Sequence, residues 1–435
     1  MGKKMTYTKT HILIIVIGFT LIVGGCSDVL DVSPRTSISP DDLGQEEVEQ
    51  LLNGVYNQFQ NGPGRENVIV FDLLGGNLNS SNVGVRSEYI ENDVDPADGN
   101  NRRMWYGYYR GLHRTNVLIE TLDRLEETDR NQEILGIAHF FRGYAYYQLV
   151  TRFGGVPILR ERTREHVARD SEEEVWSFIQ EELEKAIELA PDFASSRDYF
   201  YVTAEAAKAL LARTALALED MDRAAQLAEE VIESGNFRLE QNFSDIFRDP
   251  SNSETIFAFE NRSEEGITFG GLFTTVDYPT GGSWFFIPKE EMFDLYSEED
   301  LRKEVTVDSV SNLPMVNKYQ GGLQGGDPII VTRIAEMYLI SAEAQGLDGI
   351  DRLNELRNSR GLSSLDIDNE QAYQQAVAEE RRKELAYEGF RWYDLIRTDR
   401  AIDELVYVTS ENQLRLPVPV SELDLNPLLE QNPGY

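Results

Sequence analysis

Cysteine is almost absent from this chain. Its 435 residues contain one, Cys26, so no internal disulfide can form, and four histidines. His11 stands in an N-terminal apolar region, and His113, His139 and His166 are isolated, without HExxH or any other metal-ligand spacing. No metal is expected. Basic charge is scarce too: 41 Lys and Arg against 76 Asp and Glu leave a formal charge of −35 at pH 7. Phosphate backbones require a basic face, so nucleic acid is not an expected partner. Lysine is scarce even beside arginine, which suits a surface tolerant of high salt. GxSxG, Walker A and a GxGxxG following a strand are all missing, so neither a cofactor nor an enzymatic activity is expected. Among 76 acids a pair of carboxylates spaced for glycoside hydrolysis stays open. Runs such as Glu172-Glu173-Glu174 and Glu298-Glu299-Asp300 read as helix caps or solvated faces.

What is present is a globular composition, 41% hydrophobic and 10% aromatic, enough for a sizeable core. Lys3, Lys4 and Lys9 precede an apolar run over 12–23, too short to cross a bilayer and of the length of a signal-peptide core. Val23-Gly24-Gly25-Cys26 then looks like a lipobox. Residues 1–25 are therefore expected to leave as a lipoprotein signal peptide, with Cys26 diacylated as the membrane anchor. Loss of the three lysines takes the charge to −38 (−35 minus 3). Two acyl chains, at about 0.8 kcal/mol per buried CH₂, hold where one is marginal. Residues 26–44, rich in Ser, Pro and Asp, read as a lipidated tether.

From Gln45 the pattern turns helical. Val48, Leu51, Leu52, Val55, Tyr56 and Phe59 recur at three and four residues, up to the stop Asn61-Gly62-Pro63-Gly64. Between 75 and 103 Gly, Asn, Ser and Asp predominate, an irregular stretch of functional length. Helices resume at Met104 and again over 134–150, and Ser171 with Glu174 forms a capping box. Over 203–234, Ala212, Ala224, Ala228 and Val231 are small or medium residues at the spacing of a tetratricopeptide (TPR) helix pair, with diverged copies around 104–150 and 329–360. The expected fold is mainly α: a superhelix of TPR-like helix pairs with irregular loops and a few short strands, in a single domain over 45–435.

The stretch 240–327 differs. Thr255 to Glu260 reads as a strand, and Gly270-Gly271, Gly281-Gly282 and Gly321-Gly322 punctuate loops carrying Tyr278, Trp284, Phe285, Phe286 and Tyr319. Glycine-hinged loops with aromatics suit a flat ligand, whose apolar C–H face packs on a ring while amides and guanidinium groups bond its hydroxyls. Tyr278, Trp284 and Tyr319 are the candidate stacking faces, although Trp284 suits packing equally well. Asn79, Arg86 and Asn100, in the other irregular stretch, are the candidate hydrogen-bonding groups.

Near the C-terminus stands Glu380-Arg381-Arg382-Lys383-Glu384-Leu385-Ala386-Tyr387-Glu388-Gly389-Phe390-Arg391-Trp392-Tyr393-Asp394-Leu395-Ile396-Arg397. As one helix, with Gly389 its only breaker, it would set Arg381, Glu384, Glu388 and Arg391 within roughly 80° of arc, a charged stripe suited to ion pairing against the domain. This run resembles the signature ERRxELxxEGxRxxDLxR of the RagB/SusD family of outer-membrane nutrient-binding lipoproteins, and it fits every specified position. Leu416-Pro417-Val418-Pro419 and Gln431-Asn432-Pro433-Gly434-Tyr435 are similar to that family's closing segment. The resemblance implies a binding protein anchored through Cys26 in the outer membrane and facing outward. Its implied partners are an oligosaccharide or other nutrient oligomer and a SusC-like TonB-dependent transporter. The alternative reading is a TPR-type scaffold lipoprotein that binds only protein.

Overall fold

Several helices in this chain begin where a side chain takes up their free N–H groups. The computed structural model describes residues 39–435 except Val83, Val85, Arg197, Gly266 and Ile267. The expected signal peptide 1–25, the acylation site Cys26 and most of the tether 26–44 lie outside the described residues. The chain divides into a short unit ending at Glu46, which contains the turn Pro40–Asp42, and a second unit, Glu47–Tyr435.

In the second unit, α1 (Val48–Asn61) is followed by α2 (Gly99–Leu122), α3 (Asp129–Phe153) and α4 (Glu172–Leu189). The Asp98 carboxylate accepts from the Asn100 and Asn101 backbone N–H groups, which starts α2 five residues before the apolar pattern does. Thr128 caps α3 in the same way. The expected capping box is present: Ser171 Oγ accepts from Glu174 N at 3.2 Å, and the Glu174 carboxylate accepts from Ser171 N at 2.8 Å. Next come α5 (Ala204–Ala217), α6 (Met221–Glu233), α7 (Ile334–Ala344), α8 (Ile350–Ser359), α9 (Glu370–Glu384) and α10 (Arg391–Arg397).

Each helix from α1 to α6 packs on the next, α6 packs on α7, and α7 packs on both α8 and α9. Small residues set the distances. Ala206, Ala209 and Ala212 of α5 and Ala224 and Ala228 of α6 are fully buried, so these two backbones approach closely. A Cβ on Gly136 of α3 would sit 2.2 Å from the Ala190 nitrogen, which only glycine avoids. The result is the TPR-like helix-pair framework expected.

Among the described residues the unit also has three two-stranded antiparallel sheets: β1 (Leu78–Ser80) with β3 (Phe286–Pro288), β2 (Thr255–Phe259) with β6 (Ile329–Arg333), and β4 (Val307–Val310) with β5 (Leu313–Val316). The helix pair expected around 329–360 begins only at Ile334. Ile329, Ile330, Val331 and Thr332 are β-branched, and they pair with β2 instead.

The signature stretch is likewise not one helix. It ends at Glu384, turns through Tyr387 (φ +65°) and Gly389 (φ +83°), and restarts at Arg391. The N–H groups released by the turn find Asp72, whose buried carboxylate accepts from Tyr387 N and Gly389 N at 2.9 Å each. The single charged stripe is therefore replaced by three separate pairings. Glu384 and Glu388 enter a sealed cluster, Arg381 meets Asp394 at 3.0 Å, and Arg391 meets Glu404.

In that cluster Arg333 touches Glu254 (2.7 Å), Glu384 (2.6 Å) and Glu388 (2.9 Å). Arg360 bonds Glu254 and Glu384, Arg302 bonds Asp300, Glu380 and Glu384, Lys318 bonds Glu388, and Arg357 bonds Glu380. Five cations (Arg302, Lys318, Arg333, Arg357, Arg360) thus meet five carboxylates (Glu254, Asp300, Glu380, Glu384, Glu388), and the desolvated charges balance. Burial works against the charged form of Glu384, but Arg360, Arg333 and Arg302 hold its carboxyl well below the usual range. Such a cluster fixes a unique arrangement; its net worth over an apolar core is small, whereas an unpaired member is costly.

Candidate functional site

A buried carboxylate helps to hold the loops between 262 and 327. Asp327 accepts from Gly270 N at 3.1 Å and Gly321 N at 2.8 Å, tying two glycine turns together. A Cβ on Gly270 would lie 2.3 Å from Asp327 Oδ2, so the clamp needs glycine there. Burial pushes the Asp327 carboxyl up to about 6, against the pull of the N–H donors.

On this clamped base sits Trp284, with φ +44°, a conformation that a bulky residue rarely adopts. Three contacts hold it there: its N–H donates to Thr274 O at 3.0 Å, its indole Nε1 donates to Pro314 O at 2.9 Å, and the Ser81 hydroxyl donates to its carbonyl. The ring is half-buried, and among the described residues no other aromatic ring stacks on it. Tyr278, also half-buried, stands in the turn just before, where its carbonyl accepts from Gly281 N at 2.8 Å. Asn79 is exposed on β1, opposite Ile287 of β3, and shares with Pro314, Lys289, Phe293 and Ser309 the wall of a cleft of about 650 Å³. Burial lowers the Lys289 ammonium pKa. Pro314 links the two residues: its carbonyl accepts from the Trp284 indole, and it lines with Asn79 the wall of this cleft.

Tyr319 does not belong to it. Its ring is 2% exposed, packed on Phe247, Phe269 and Phe273, and its hydroxyl donates to Tyr387 O at 2.9 Å. It is core, and its place beside Gly321-Gly322 in the sequence did not reveal that. Arg86 and Asn100 have partners of their own, Glu66 for the first and Asp98 for the second. Arg86 Nε pairs with Glu66 at 2.6 Å, and Asn100 N donates to Asp98 Oδ1 at 3.0 Å.

A second polar and aromatic surface escaped the sequence reading. Two adjoining clefts of about 580 and 370 Å³ share Phe200, Glu260 and Arg262, with Tyr199 on one side and Asn53, Asn57 and Gln60 of α1 on the other. The available signal was Tyr199-Phe200-Tyr201, together with amides at four- and three-residue spacing on the polar face of α1. Among the described residues no cluster of three or more His, Cys, Asp and Glu could hold a metal, and no helix is long and apolar enough to cross a membrane. His139 is taken up by Glu182 at 2.7 Å, which Arg142 also binds.

Comparison with known proteins places this architecture. A family profile described as starch-binding associating with outer membrane matches residues 28–216, and one described as SusD family matches residues 310–413. SusD-like protein P38 of Formosa agariphila is 23% identical, with all of both chains covered. A solved structure titled laminarin binding SusD-like protein superposes with a TM-score of 0.78 at 24% identity, covering 90% of this chain and 100% of that one. Surface glycan-binding protein A from Bacteroides fluxus gives 0.78 at 21% identity, covering 90% of this chain and 99% of that one. With the helix-pair framework and the buried signature turn, these matches show that the chain belongs to the SusD/RagB family.

Proposed function

We propose that this protein binds an oligosaccharide at the surface built from Trp284, Tyr278 and Asn79, and delivers it to a SusC-like TonB-dependent transporter. The conformation of Trp284 carries the reading. A left-handed tryptophan costs on the order of 1–3 kcal/mol, and such strain concentrates where a side chain must be presented in one orientation. Here the strained backbone presents a half-exposed indole, and Asn79 offers an exposed amide on a cleft that Pro314 also lines, the kinds of group that a sugar ring recognises. The names of the relatives and structural neighbours, laminarin binding and surface glycan-binding, support a glycan in preference to a peptide.

In this account the chain captures and releases; the transporter supplies the energy. It is anchored in the outer membrane through acylated Cys26 and faces outward, and it performs no chemistry on its ligand. The test is a panel of glycans and peptides followed by thermal stabilisation, with the products analysed. A ligand at 100 times its Kd adds about 2.7 kcal/mol. Stabilisation by a glycan that is recovered intact supports the reading. Release of shorter sugars, or stabilisation by peptides alone, contradicts it.

A further inference from the structure

A small cavity of about 60 Å³ lies where α3, α5, β6 and the turn between α9 and α10 converge. Its wall holds four guanidinium groups, those of Arg152, Arg213, Arg381 and Arg397, and two carboxylates, Glu388 and Asp394. Three of the arginines are compensated: Arg213 by Glu336 at 2.5 Å, Arg397 by Glu343 at 2.5 Å, and Arg381 by Asp394 at 3.0 Å. Glu388 is already shared by Arg333 and Lys318. Arg152 is different. It is 3% exposed, yet among the described residues no carboxylate pairs with it.

Neutral groups surround Arg152 instead. Its Nη1 donates to Gln148 Oε1 at 2.6 Å, its Nη2 donates to Asn67 O at 3.2 Å, and its guanidinium lies 4.3 Å from the Phe71 ring centroid. Among the described residues its Nε has no acceptor, and neither has Nη1 of Arg381, which is 4% exposed. Two buried N–H groups on the cavity wall are thus unpartnered, with one positive charge uncompensated, in a chain of net charge −35 that does not lack carboxylates. Asn67 Oδ1, an unpartnered acceptor on the same wall, becomes a donor when its amide is turned over. A water needs about 10–15 Å³ of such space, so the cavity has room for an ion with a water beside it. A water would satisfy the donors and leave the charge; an anion does both.

We propose that this cavity is a site for one small monovalent anion, chloride, held between Arg152 and Arg381. The ion would join α3 to the signature turn from inside, a role separate from ligand capture at Trp284.

Crystals grown in sodium bromide test it directly. An anomalous peak is expected in the cavity within hydrogen-bond reach of Arg152 Nε. As chloride replaces gluconate at constant ionic strength, Tm should rise and then level off, and Arg152→Met should abolish that dependence. If Arg152→Met does not fold, the bromide experiment on the unaltered protein still decides. A cavity holding only water, or a Tm that responds to chloride and gluconate alike, overturns the proposal.

Discussion

The Asp72 carboxylate accepts the Tyr387 backbone N–H at 2.9 Å, joining residues 315 apart in the chain. Through this bond a residue of the N-terminal third sets the turn on which the C-terminal signature depends. The same carboxylate takes the N–H of Gly389, and the kink between α9 and α10 then aims Glu384 and Glu388 into the buried cluster.

Gly389→Ala tests that turn. Its φ is +83°, and a Cβ would lie 2.6 Å from Val68 O, so strain and a backbone clash coincide. A loss of about 1–3 kcal/mol or more is expected from denaturant unfolding. A change within ~0.5 kcal/mol, the range of an ordinary surface substitution, would show the turn to be permissive.

Glu384→Gln leaves Arg302, Arg333 and Arg360 facing one carboxylate fewer in a sealed interior. Breaking a buried pair in this way costs about 3–5 kcal/mol. Equilibrium unfolding should read that loss, while a conservative change at a pair such as Arg130–Glu49, half-exposed at its surface, should cost under about 1 kcal/mol.

The dependence of stability on pH should have two opposing parts. Burial raises Asp72 and Asp327 to about 6, so their contribution is fully present below the unfolded value near pH 4 and is lost as pH rises through about 6. Glu182 is burdened by burial, but His139 and Arg142 lower it to about 2; its contribution is present above about pH 4.5 and is lost as pH falls through about 2. Asp72→Asn should therefore remove part of the decline in stability between pH 4 and 6. Identical wild-type and variant slopes in that window would contradict the assignment.

Ser171→Ala should cost about 1 kcal/mol, since it opens the capping box of α4. Ser171→Asp, which keeps an acceptor at the cap, should recover most of that loss. Equal destabilisation by both would assign the effect to something other than capping.

The local parts of this fold were legible in the sequence. Val48, Leu52, Val55 and Phe59 face the core as their spacing requires, Ser171 and Glu174 cap as expected, and Thr255 opens a strand. The errors lie where a distant partner decides. Nothing near Tyr387 announces a left-handed turn, because its hydrogen-bond partner is Asp72. Ile329 to Thr332 pair with a strand some 70 residues earlier, and Tyr319 is buried by Phe247, Phe269 and Phe273 from other segments. Of the six candidate ligand residues, Asn79 lines a cleft whose Pro314 carbonyl accepts from the indole of Trp284. Arg86 and Asn100 are joined to them only by composition; Arg86 pairs with Glu66, and the Asn100 N–H bonds Asp98.

The central claim is that Trp284 is held in a strained conformation in order to present its ring to a glycan. The measurement is the affinity of Trp284→Ala for a glycan that stabilises the unaltered protein, with thermal unfolding of the free variant as a check on folding. Loss of one stacking face should weaken binding at least about tenfold, roughly 1.4 kcal/mol, in a variant that remains folded. Unchanged affinity in a folded variant would contradict the account and move attention to the surface around Phe200 and Arg262.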